Sequence, residues 1–214
     1  VTRGDRELWD ELLQVVIPKG RNIWAFADDD SEKLNEVGRS FEFFVLPENN
    51  EANVKKAMKD GNFFAASKYY KTTDGVGDFD GDGNVPLVTD IKVDQKANTI
   101  TVATDPTRDC QVIEWIADGK VIATGNTIDL NDYEKDLGCY IRFQMKGSGG
   151  VTYSQPFELQ YKGRIDKPVP SWALWVFKTE AGQKFMKFYH SHSFALGALI
   201  AEKIRILIED NIKK

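Results

Sequence analysis

The chain is poor in the residues that most often carry chemistry: two histidines, two cysteines and three methionines in 214 residues. Two cysteines, Cys110 and Cys139, make neither a zinc ribbon nor a dense disulfide framework; one bridge and two free buried thiols both stay open. There is no G-x-S-x-G elbow and no glycine-rich phosphate cradle, so nucleophilic and nucleotide-dependent chemistry find no support. The apolar run 194–201 is too short to span a bilayer, and Glu202, Lys203 and Arg205 follow at once. Positive charge is not in excess: 28 Lys and Arg against 33 Asp and Glu give −5, which argues against a general nucleic-acid binder. No charged, apolar and small-residue leader pattern is visible after Val1. A processed chain or an expressed fragment is expected, with the compartment left open.

What is present is an ordinary globular composition, 42% hydrophobic and 29% charged, with its charge unevenly distributed. Residues 1–161 hold 18 basic against 28 acidic side chains, a net of −10, and residues 162–214 hold 10 against 5, a net of +5. Over 1–75, apolar residues at 8, 9, 12, 13, 15 and 16 predict a helix. Asn22 to Ala27 and Phe41 to Leu46 read as buried strands. EANVKKAMKD (51–60) predicts a short helix with Gly61 at its C-terminal cap, and Phe63 to Ser67 a further strand. This alternation suggests an α/β unit. TTDGVGDFDGDGNVP (72–86) reads as an Asp/Gly-rich linker, its centre at 76–86. From 87 to 161, six or seven short β-branched or aromatic runs separated by turn signals predict an immunoglobulin-like β-sandwich. Asp118-Gly119 is the strongest hairpin signal among them. Residues 165–214 predict a basic helical tail.

The stretch IWAFADDDSEK (23–33) raises the first question of function. Its carboxylates suit either a metal site or an Asp leaving a strand to cap a following helix. Here the chain resembles a known family. LWDELLQVVIPKGRNIWAFADDDSEKLNEVGRSFEFFVLPE, followed by NVKKAMKDGNFFAAS, is similar to the C-terminal part of the PHP (polymerase and histidinol phosphatase) metal-dependent phosphoesterases. YIRFQMKGSGGVTYSQPFEL is similar to the end of the β-sandwich that often follows that barrel. The resemblance covers about residues 5–161 and implies phosphoester hydrolysis with manganese, zinc or magnesium as cofactor. It carries the family's metal-binding Asp onto Asp30 and places Glu32 where the family has His. Glu ligates manganese or magnesium, and zinc less readily. The family's leading H-x-H strand and its middle ligands are not in these 214 residues, so the chain alone is not expected to be catalytically competent.

Two other patterns stand out. Asp78, Asp80, Asp82 and Gly83 have the opening spacing of a calcium loop, though Thr89 sits where a bidentate acid belongs; a plain polar linker gives the same letters. His190 and His192 form an H-x-H that a permuted arrangement would bring to Asp30 and Glu32; a solvated pair near a helix start is the alternative. Trp172, Trp175 and Phe177, with Lys178, Lys184 and Lys187, suit either an interfacial membrane segment or a packing face. Packing is the stronger reading, and a homo-oligomer through the C-terminal helix is expected. The first alternative to the phosphoesterase is a non-enzymatic β-sandwich binding module, calcium-binding in one form. The second is a residual hydrolase completed by the two histidines.

Overall fold

A computed structural model describes residues 3–71, 78–159 and 180–181. The chain divides into two compact units, Val1–Asp166 and Lys167–Lys214. In the second, Glu180 and Ala181 are helical; the elements that follow all belong to the first. They form a β-rich α+β fold built on two antiparallel sheets.

The elements in chain order are helix α1 (Arg3–Val16), strand β1 (Ser40–Phe44), helix α2 (Glu51–Asp60), and strands β2 (Phe63–Ser67), β3 (Tyr69–Lys71), β4 (Asp78–Asp80), β5 (Val88–Asp94), β6 (Thr99–Thr104), β7 (Val112–Ala117), β8 (Lys120–Thr124), β9 (Thr127–Asp129), β10 (Tyr140–Gly147), β11 (Gly150–Tyr153) and β12 (Phe157–Glu158). Seven strands make the large sheet in the order β1-β2-β11-β10-β7-β8, with β12 also paired to β10. β5, β6 and β9 make a three-stranded sheet, and β3 and β4 a separate pair.

Alternation along each strand gives the large sheet two faces. On one lie Ile113, Trp115, Ile141, Phe143 and Met145, which pack with Ile100, Val102 and Ile128 of the small sheet into the main core. The Trp115 indole is buried, meets Phe143 edge-on at 5.4 Å, and donates Nε1–H to the Gly125 carbonyl at 2.8 Å. That satisfies the one polar atom the core would otherwise strand. On the other face, Trp9, Leu13 and Ile17 pack against Cys139 and Tyr140. α1 therefore covers the face that carries the polar half of YIRFQM.

Several expected elements form as their local chemistry requires. α2 has the expected bounds, with the Asn50 side chain accepting from Asn53 N–H and Gly61 left-handed (φ 75°) at its end. Asp118 (φ 49°) and Gly119 (φ 76°) turn β7 into β8 with positive φ at both central residues, as a type I′ hairpin demands.

Three expectations are corrected. Residues 22–27 belong to no sheet. Their backbone is satisfied by side chains: Ala25 N–H donates to Gln155 Oε1 (2.9 Å), the Gln155 amide donates back to the Ala25 carbonyl (2.9 Å), and Ala27 N–H donates to Glu42 Oε1 (2.7 Å). The apolar run was real, for Ala27 packs on Ala65, Val151 and Tyr153, but it crosses the sheet face instead of joining an edge. Second, the β1-α2-β2 alternation gives an antiparallel pair, not a parallel α/β unit, and β2 also pairs with β11 of the later block. One sheet thus runs through both blocks that composition separates. Third, residues 78–86 of the segment expected as a linker are built into the fold. β4 pairs with β3, Val85 is buried, and the Pro86 carbonyl accepts from Thr152 Oγ1 at 2.6 Å.

Candidate functional site

The aspartate stretch lies beyond Ala27, in the loop that leads to β1. Its middle member does the structural work. The Asp29 carboxylate accepts from Gly38 N–H (2.6 Å) and Ser40 N–H (2.5 Å), closing the intervening loop onto the start of β1. Desolvation opposes its charge, but the amides of Ser40, Gly38 and Arg39 and the Arg39 guanidinium outweigh it and hold the carboxyl below its ordinary range. No aspartate caps a following helix: the next helical turn, Leu34–Glu36, has Lys33 at its N-cap, and the Glu36 carboxylate takes the N–H groups of Glu32 and Lys33.

Asp30 and Glu32, the positions singled out by the family resemblance, are both exposed on this loop. Asp30 sits at φ 49°, a left-handed conformation that Asp tolerates better than most residues. Glu42 reaches the same region from β1. Burial raises its carboxyl above the ordinary value, and the charges of Asp28 and Asp29 push the same way, against the bond from Ala27 N–H. Among the described residues, no three His, Cys, Asp or Glu side chains are grouped to hold a metal ion. The described donors here do not amount to a complete site for manganese, zinc or magnesium. His190 and His192 lie outside the described residues, as do the aromatic and lysine positions of the tail.

The Asp78–Asp82 stretch is placed otherwise than a calcium loop requires. Asp78 and Asp80 are on strand β4, opposite Lys71 and Tyr69. Asp82 accepts from Asn84 N–H at 2.8 Å, a local turn. Thr89 is in β5. The neighbouring glycines have a packing reason of their own. A Cβ on Gly81 would stand 2.3 Å from the Gly149 carbonyl oxygen, and one on Gly149 would stand 2.1 Å from that of Asn84. Main chain lies directly on main chain between this stretch and the β10–β11 turn.

Both cysteines are free. Burial, then the charge of Asp109, raises the Cys110 thiol, which makes it a poor nucleophile.

The most developed polar constellation is one the sequence did not announce. Arg142 on β10 and Asp10 on α1 are both buried and form a bidentate pair, Nε to Oδ1 at 2.7 Å and Nη2 to Oδ2 at 2.6 Å. Tyr140 donates its hydroxyl to Asp10 Oδ1 (2.7 Å) and accepts from Gly119 N–H (3.1 Å). The guanidinium lies 4.9 Å from the Trp9 ring centre, a cation–π contact. Burial, with the Asp10 charge beside it, drives the Tyr140 hydroxyl far above its ordinary range, so it serves as a fixed donor. The available signal was the alternation of YIRFQM, which puts Tyr140, Arg142 and Gln144 on one face. A polar face reads as solvated until a helix is seen to cover it. The group clamps α1 to the sheet and leaves no reacting atom exposed.

Comparisons with protein-family models, with curated proteins and with solved structures find no match to this chain.

Proposed function

We propose that this chain is the C-terminal portion of a PHP-type metal-dependent phosphoesterase, and that alone it is not a catalyst. In this reading the end of the phosphoesterase domain and its sandwich share the one large sheet within residues 1–161, and the basic tail from 165 serves association. The observation that carries it is the loop of Asp28 to Gly38. Asp29 spends its carboxylate on holding the loop, and Asp30 and Glu32 stand outward on that fixed frame. Such a frame suits carboxylates that complete a manganese, magnesium or zinc site whose histidines come from elsewhere.

The test is elemental analysis of untagged protein supplied with manganese, zinc and calcium, with hydrolysis of p-nitrophenyl phosphate measured in parallel. The expected result is less than one equivalent of metal and no turnover. Stoichiometric manganese or zinc with turnover, both lost in Asp30→Ala, would overturn it in favour of a hydrolase completed within this chain. Stoichiometric calcium alone, lost in Asp80→Ala, would overturn it in favour of a calcium-binding module. A non-catalytic interaction module is the second reading, favoured by the exposed Leu34, Val37 and Val45 on either side of β1 in the chain.

A further inference from the structure

The two outer edges of the large sheet are finished differently. At β8, the register shifts between Trp115 and Ile116, and the strand opens on Lys120. A bulge and a lysine are standard protections against edge-to-edge pairing. β1 has neither. SFEFF pairs with β2 in unbroken register over its whole length. Its one charge, Glu42, is turned back to the Ala27 amide.

The hydrogen-bond parity of β1 defines what the edge offers. Lys68 N–H donates to the Arg39 carbonyl and Val45 N–H to the Asn62 carbonyl, so odd-numbered residues face β2. Ser40, Glu42 and Phe44 therefore aim their main-chain groups outward, and Asp29 takes only the Ser40 N–H. Exposed apolar residues flank the strand in the chain: Leu34 and Val37 lie in the loop before it and Val45 directly after it, 91%, 62% and 61% exposed.

We propose that β1 is the seam of a two-fold dimer, paired antiparallel with β1 of a second copy about Phe43. This register sets Glu42 opposite the other copy's Phe44, and the two exchange both main-chain bonds. Centring one residue earlier would set Glu42 against Glu42, which like charge disfavours. Centring on Phe43 also sets Phe41 opposite Val45 on one face. The Asp29 clasp holds the loop bearing Leu34 and Val37 at the N-terminal end of β1, and the two-fold brings the other copy's Val45 to that end. An apolar loop and an exposed valine at opposite ends of one strand are what a self-complementary surface requires. Arg39 and Glu48, at opposite ends and of opposite charge, fall one position apart across the same seam. The inference is independent of the phosphoesterase reading.

Sedimentation velocity on the full chain from about 1 to about 100 µM tests it. The expected result is a concentration-dependent dimer, weakened at least about tenfold by Leu34→Lys and by Val45→Lys and unchanged by Val121→Lys on the other edge. All three positions are exposed, and circular dichroism checks that each variant folds. A monomer throughout this range would overturn the proposal, leaving the edge to a strand of another protein. A dimer indifferent to both Leu34→Lys and Val45→Lys would place the interface elsewhere, and equal weakening by Val121→Lys would mean unspecific adhesion; either overturns it.

Discussion

The two faces of the large sheet are closed by opposite means. One is sealed by the small sheet through an apolar core, in which each residue contributes according to the volume it fills. The other is covered by α1 and the 22–27 segment, and under α1 the apolar contacts surround a buried ion pair with a tyrosine and a tryptophan, in which a member counts only while its partner is present. The difference teaches how each face fails. The apolar face degrades in steps as atoms are removed. The polar face is close to all-or-none, because removing one member leaves a charge stranded in a place without water.

The largest effect is expected from breaking the polar clamp on one side. Asp10→Ala leaves Arg142 buried without its anion and should cost about 3–5 kcal/mol in urea unfolding. The double change Asp10→Leu with Arg142→Met removes both charges and should recover most of that loss; if it does not, the pair contributes net attraction beyond its own desolvation. On the apolar face, Phe143→Leu should cost about 1–2 kcal/mol, with Phe143→Ala clearly worse, the graded response that marks volume as the relevant quantity. Gly149→Ala tests the close approach at the β10–β11 turn and should cost about 1–3 kcal/mol, since backbone on both sides must move. The smallest expected effects are those of pH at the aspartate loop. Glu42 has its folded value raised, so its contribution is present below its unfolded value and lost as pH rises through the folded one. Glu42→Gln should therefore flatten this part of the pH dependence and leave the protein as stable or slightly more stable at neutral pH. Asp29 is the reverse, with its folded value lowered. Its contribution is present above the unfolded value and lost as pH falls through the folded one. Asp29→Ala should remove that acid-side loss and lower stability at neutral pH. Thermal midpoints across acid to neutral pH measure both.

The sequence was most legible where a single local rule decides the outcome. Asn50 and Gly61 bracket α2, and Asp118-Gly119 permits one kind of turn. It was least legible where the deciding partner is remote. Asn22 to Ala27 has the composition of a strand, yet its hydrogen bonds end on Gln155 and Glu42, far along the chain. DFDGDGN has the composition of a linker and the spacing of an ion loop. Gly81 answers to the backbone of Gly149, and Gly149 in turn to that of Asn84, which no local pattern reveals. Asp10 reads as one more acid on a helix until Arg142 is placed beneath it. The candidate site was legible only in part. Position and exposure of Asp30 and Glu32 follow from the loop, while the role of Asp29 as its clasp depends on amides nine and eleven residues away.

The side-chain tether at Ala25 and Ala27 has a further consequence, for hydrogen exchange. A ladder strand can expose its amides only when the sheet itself comes apart. This segment is held to the sheet face by side chains, Gln155 at Ala25, Glu42 at Ala27, Trp9 at the Ile23 carbonyl and the Trp24 indole on the Lys59 carbonyl, so it can open while every strand pairing stays intact. It is thus an opening unit of its own, set between a helix clamped by charge and the edge strand β1, and its amides report on that local opening where those of the inner strands report on the whole fold.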